Sequence, residues 1–209
     1  MYRRAFVGAC LTLVLLVAVG MPAVASPATA GARKPKVTTI PVGLGPIRVA
    51  TNPQTNTIYV TDVSLGTVAV IDGTTNTITA TIPVGGSPAQ VATNPQTNTV
   101  YVTDEPLGGA GRLWVIDGQT NTVTATISLP DNPFGGVVPV ATNPQTNTVY
   151  VTSTSSDFSG TLSVISGQTN TVTGTVPVGQ FPGGVATNPQ TNTVYVANTG
   201  SSSVSVVRT

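Results

Sequence analysis

Few side chains in this sequence could do chemistry, and most of them fall in a handful of irregular stretches. Glu105 and Arg112 share one stretch, with Asp104 just before it and Trp114, the only tryptophan, just beyond. Asp131, Asn132 and Phe134 fall in a second, Asp157 and Phe158 in a third, and Phe181 in a fourth. Aromatic rings beside acids and an arginine suit a glycan or a peptide: the rings give apolar contact and the charges give orientation. Arg48 stands apart and offers a guanidinium to a carboxylate or phosphate. The plainer readings are aromatics that pack long loops onto the body of the fold, and an arginine paired with an acid such as Glu105.

Composition narrows the chemistry further. The 209 residues include no His and one Cys, so the commonest general base and the commonest metal ligand are absent. A formal charge of +1 leaves no electrostatic footprint for nucleic acid or anionic lipid. Asp62 and Asp104 end equivalent segments, but Ca²⁺ takes about six to eight oxygens and no calcium-loop spacing accompanies them. Asp72 and Asp117 each precede a Gly and read as turn formers. No nucleophile elbow, phosphate loop, dinucleotide fingerprint or zinc-protease motif occurs. No catalytic residue, cofactor or metal is therefore expected.

The elements that position these residues begin with an address. Met1 to Ala25 has a basic start at Arg3-Arg4, an apolar run from Phe6 to Val19 and a small-x-small triplet at Ala23-Val24-Ala25. That is the pattern of an export signal, with a second triplet at Ala28-Thr29-Ala30. The apolar run is shorter than the ~20 residues of a membrane span. Cleavage would remove Cys10, Arg3 and Arg4, leaving six bases against seven acids. Residues 26–36 (SPATAGARKPK) read as a flexible linker, and the expected location is secreted or cell-envelope associated.

Residues 37–209 repeat. VATNPQTNTIYVTD begins at Val49, and near-copies begin at Val91, Val140 and Val185, offsets of 42, 49 and 45 residues, so that units start near 48, 90, 139 and 184. Within the first unit, Arg48–Thr51, Thr57–Thr61, Thr67–Ile71 and Thr77–Val84 are β-branched or alternating and read as strands. Asn52-Pro53 ends the first, and Asp72-Gly73 reads as a hairpin signal after the third. The fourth alternates Thr77, Thr79 and Thr81 against Ile78, Ala80 and Ile82. No helical periodicity appears. Four short antiparallel strands per unit make the blade of a β-propeller, so the expected fold is all-β with four four-stranded blades.

The Tyr59-Val60-Thr61 trio with its copies, Val70-Ile71-Asp72, Ile82-Pro83-Val84-Gly85 and Tyr195-Val196-Ala197-Asn198 resemble the YVTN β-propeller repeat of exported prokaryotic proteins, including YncE-like and surface-layer proteins. The resemblance covers the chain from about Val37 onward. It implies a propeller and an exported location, and it implies no single activity. Relatives commonly have more blades than four.

Closure can be anticipated as well. Val37–Gly43 (VTTIPVG) matches a fourth strand and Val204–Thr209 matches a third, so pairing the N-terminal strand with the C-terminal blade would close the ring. Two chains joined into a larger ring are the alternative, which makes a homo-oligomer a possible partner arrangement.

Connection lengths divide the disc. The NPQTNT turn after strand one and the DGTTNT-type turn after strand three keep their lengths, whereas the other two connections vary. Both variable connections emerge on one side of an up-and-down blade, and that side is where function is sought. The expected function is an exported, non-catalytic binding or cell-envelope interaction module, taking a glycan, peptide or envelope component on that face. The rival is a lactonase-like or lyase-like enzyme built from rim carboxylates with Arg48 or Arg112, in which Asp131 or Glu105 would need burial to raise its pKa.

Overall fold

The computed structural model describes residues 34–104, 110–131 and 138–209. The chain divides into Met1–Thr38 and Thr39–Thr209, and all regular structure described here belongs to the second unit. Fifteen strands and no helix are found among the described residues. They form four antiparallel sheets in sequence order. Blade 1 is β1 (Pro46–Asn52), β2 (Thr57–Asp62), β3 (Thr67–Asp72) and β4 (Thr77–Pro83). Blade 2 is β5 (Pro88–Asn94), β6 (Thr99–Asp104), β7 (Ala110–Asp117) and β8 (Thr122–Asp131). Blade 3 is β9 (Val140–Asn143), β10 (Thr148–Thr154), β11 (Gly160–Ser166) and β12 (Thr171–Val178). Blade 4 has only β13 (Pro182–Asn188), β14 (Thr193–Asn198) and β15 (Ser203–Arg208).

The first strands β1, β5, β9 and β13 lie side by side in succession, as the inner strands of a propeller do. A blade between two others is covered on both faces, so its middle strands are apolar in runs rather than in alternation. Three cores follow, one per seam. Tyr59, Val68, Val70 and Ile82 of blade 1 meet Val100, Val102, Trp114 and Ile116 of blade 2. Tyr101, Leu113 and Val115 meet Val149, Val151 and Ile165, and Tyr150 and Leu162 meet Val194 and Val196.

The repeated polar residues stitch the same seams. Thr93, Thr142 and Thr187 each donate from Oγ1 to the carbonyl of Thr51, Thr93 and Thr142 in the preceding blade, at 2.8, 2.7 and 2.7 Å. The buried Asn52, Asn94 and Asn143 accept from the N–H two residues on, holding their own NPQ turns. Each also donates across the seam, to Asn98, Asn147 and Asn192 at 2.8, 2.8 and 2.7 Å. Thr61, Thr103 and Thr152 donate to the carbonyls of Ala89, Val138 and Pro182 in the following blade. A buried polar group is costly unless satisfied, so these residues fix the docking of one blade on the next.

Two expectations are corrected, and a third gains detail. Among the described residues the ring is not closed by its N-terminal strand: residues 34–45 contain no strand, β15 pairs only with β14, and β13 does not pack back on β1 to the extent that neighbouring inner strands do. The strand match of Val37–Gly43 is a local resemblance, and pairing it needs the two ends of the blade series to meet. The hairpin after β3 forms where Asp72-Gly73 signals it, with Asp72 accepting from the N–H groups of Thr74 and Thr75. Asn76, Asn121 and Asn170 carry the left-handed φ (56°, 56° and 55°), while Gly73 is required because a Cβ there would stand 2.8 Å from the Asn56 carbonyl oxygen. The strict alternation in β4 also fails, because a bulge between Val70 and Ile71 leaves Thr79 unpaired in the ladder. Its hydroxyl donates to the Val70 carbonyl, and Thr124 and Thr173 do the same at Val115 and Val164. Beyond the bulge Ile78 is turned outward and is 42% exposed.

Candidate functional site on the variable face

The two kinds of connection separate as the sequence predicts. On the uniform face, Gly73 N–H donates to the Asn56 carbonyl, joining the β1–β2 and β3–β4 turns. On the other, Val84 and Gly85 donate to the Gly66 carbonyl, joining the β2–β3 turn to the β4–β5 connection. Thr199 and Gly200 likewise donate to Phe181 and Gln180, joining β14–β15 to β12–β13. These described irregular connections therefore share one face.

A staple at the end of each second strand supports that face, and its chemistry changes from blade to blade. Asp62 is fully buried and accepts backbone N–H bonds from Leu44, Gly45, Ser64 and Leu65. Burial pushes its carboxyl up, but the N–H groups of Gly45, Leu65, Leu44 and Ser64 outweigh this and hold it below the ordinary carboxylate range. Asp104 accepts one such bond, from Ser87 at 2.8 Å, and takes the forked guanidinium of Arg112 on its other oxygen, with Nε at 2.8 Å. Gly86, at φ 58°, leaves the space this pair needs, since a Cβ there would stand 2.8 Å from both Arg112 Nη2 and Asp104 Oδ1. Ser153 takes the place in blade 3, and Asn198, donating to Ser203 and Ser205, in blade 4.

The predicted site residues part company here. Asp104 and Arg112 come together and satisfy each other. Arg112 lies over Trp114, with Cζ 5.3 Å from the ring centroid, but Trp114 is 4% exposed and belongs to the core between blades 1 and 2, so its ring is not a contact surface for a ligand. Both faces of β7 are covered, which is why sequence alternation could not tell its inward from its outward residues. Arg48 is exposed and donates to its neighbour's carbonyl, that of Ile47, at 2.9 Å. Asp157 accepts from Ser159 N and Oγ in an exposed turn, and the Ser159 hydroxyl and N–H hold its carboxyl below the ordinary range. Asp131 ends β8 opposite Ala110. Glu105 and Phe134 lie outside the described residues.

Phe158 and Phe181 do come together. They sit in the β10–β11 and β12–β13 connections, with ring centroids 5.2 Å apart. They are 44% and 38% exposed, and both backbones are left-handed, at φ 67° and 47°. Every other non-glycine residue with positive φ among those described is Asn or Ser. A bulky side chain in this conformation is strained, and such strain concentrates where a surface has to be presented in one way. Sequence reasoning named both residues, but only the fold pairs them.

The described acids do not converge. No group of three or more Asp, Glu, His or Cys side chains is placed to hold a metal ion among the described residues, and no helix there is long and apolar enough to cross a membrane. Inner-strand succession, seams and a single variable face define an all-β, propeller-like repeat scaffold. The chain is similar to a solved structure titled Kuenenia stuttgartiensis Hydrazine Synthase, with a TM-score of 0.68 and 21% identity over 82% of this chain. It spans about half of that protein's length, 48%, and the likeness is one of fold. No family model and no curated protein matches the sequence.

Proposed function

We propose that the chain is an exported YVTN-type repeat protein that acts as a non-catalytic binding module of the cell envelope, with its variable face as the binding surface. The observation that carries this reading is the exposed Phe158–Phe181 pair, held on strained backbone across the seam between blades 3 and 4. Two tilted rings offer apolar area at low entropic cost, which suits the face of a sugar ring or an aromatic or aliphatic peptide side chain. Two acids described on the same face already have partners: Asp104 is paired with Arg112, and Asp157 with Ser159. The export signal-like segment and the YVTN-like copies support the location and the family.

A glycan and peptide binding screen on the full chain, read by calorimetry, tests the reading. Trp114 fluorescence is a poor reporter, since that ring is buried. Binding that falls at least tenfold in both Phe158→Ala and Phe181→Ala, with unchanged melting, is the expected result. Saturable turnover of a lactone, or a ligand indifferent to both substitutions, would overturn it.

A further inference from the structure

The seams within the chain reuse one set of complementary parts, and the two end faces carry the unmatched halves of that set. In each internal seam a tyrosine reaches the residue that directly follows the third strand of the next blade. The Tyr59 hydroxyl lies 2.8 Å from where a Cβ on Gly118 would be, Tyr101 meets Gly167 in the same way, and Tyr150 bonds Thr209 at 2.9 Å. Tyr195, the fourth copy, has no such socket and is 40% exposed, while Gly73 on blade 1 is the corresponding socket with no tyrosine in it. Asn188 keeps its turn bond to Gln190 but donates to no following blade, and Asn56, the counterpart of the acceptors Asn98, Asn147 and Asn192, receives no such bond. Thr51 Oγ1 has no preceding carbonyl to reach, and the Thr187 carbonyl takes no following hydroxyl.

The apolar parts divide the same way. On blade 4, Val204 and Val206 are 60% and 56% exposed, whereas their counterparts Val68 and Val70 are buried in the first seam. On blade 1, Val49 is 65% exposed, whereas its counterpart Val91 packs into that seam. Ile58 and Val60 lie half-buried beside Val49, and Ala69 and Ile71 are already buried. A groove lined by Val185, Tyr195, Ala197 and Val204 marks one end, and a groove lined by Ile47, Arg48, Val49 and Val60 marks the other.

We propose that these end faces form a head-to-tail interface of two mutually complementary surfaces, through which blade 4 of one copy seats on blade 1 of a second copy and the pair closes an eight-bladed ring. The strand that blade 4 lacks has a source in this arrangement. Leu44 and Gly45 hang from Asp62 much as Ser87 hangs from Asp104, so Ile40-Pro41-Val42-Gly43 leads into blade 1 as Ile82-Pro83-Val84-Gly85 leads into blade 2. The partner's Ile40–Gly43 thereby runs beside the open edge of β15 and extends that sheet. One part of the internal pattern is replaced. Ala197 stands where Thr61, Thr103 and Thr152 donate across the internal seams, and Arg48 supplies the Ile47 carbonyl with a donor from its own blade. Neither end face is therefore left with a buried hydroxyl or carbonyl to satisfy at that point.

Two different surfaces meet in this interface, and closure needs two copies of it. Sedimentation velocity on the full chain across a concentration series should give a species of twice the single-chain mass. Val49→Glu and Val204→Glu, both at exposed positions and so expected to melt like the parent, should each weaken association by roughly 100-fold or more. Mixing the two variants restores one undamaged seam, and mixed pairs should form. A single-chain mass at every concentration, a dimer that survives Val49→Glu, open-ended polymers, or a mixture that stays monomeric would each overturn the proposal.

Discussion

Tyr101 and Tyr195 occupy the same place in two copies of one repeat and have opposite surroundings. Tyr101 is fully buried in the seam between blades 2 and 3; Tyr195 is 40% exposed on the outer face of blade 4. Nothing in the repeat itself distinguishes them, since both follow the same TNTV sequence and both lie in the second strand. In a series of blades each unit contacts only its neighbours, so a residue's contribution is set by whether a neighbour exists on that side. Stability resides in the seams, and the ends carry the same chemistry unspent.

The largest test of that contrast is truncation of the two tyrosines. Tyr101→Ala should cost about 3–5 kcal/mol in a urea melt, the loss typical of a buried aromatic, while Tyr195→Ala at a concentration where the chain is single should cost less than about 1 kcal/mol. Equal costs would break the comparison. A smaller effect separates Thr103 from Ala197. Thr103→Val removes a 2.7 Å buried bond and strips the Val138 carbonyl of this donor, at a cost of about 1–3 kcal/mol, whereas Ala197→Thr should lie within about 0.5 kcal/mol of the parent.

The smallest expected effect concerns pH and contrasts two staples of the variable face. The folded Asp62 carboxyl lies below its ordinary range, so its contribution is present above about pH 4 and is lost as the pH falls through the folded value. Asp62→Asn should flatten this part of the acid limb of the stability curve. A limb that keeps its slope in the variant would show that the four N–H bonds at Asp62 do not set it.

Much of this fold was legible because the relevant signals are local. Asn-Pro, the β-branched runs and the constant turn lengths recur within each copy, and each specifies its strand or turn from residues a few positions away. The separation of variable from uniform connections followed from the same lengths. The left-handed Asn at the end of each TTN or QTN turn could have been read there too, because Asn tolerates that conformation better than any neighbour in the turn except Gly. The bulge at Thr79 was less legible, since one skipped residue leaves the Thr/Ile alternation intact in the sequence while leaving Ile78 exposed.

The site was legible as a set of residues and not as an arrangement. Phe158 and Phe181 are 23 positions apart, in two different connections, and Arg112 meets Asp104 across a hairpin whose length differs from blade to blade. Such pairs depend on how far each loop leans over its neighbour, which no spacing rule fixes. Sequence alone determined that there are four copies, where their strands run and which connections share a face, because those properties are written into every unit. Whether the four close on themselves was decided by the tertiary structure. Closure depends on the rotation between blades, a small angle set by side-chain packing in each seam and accumulated over three of them.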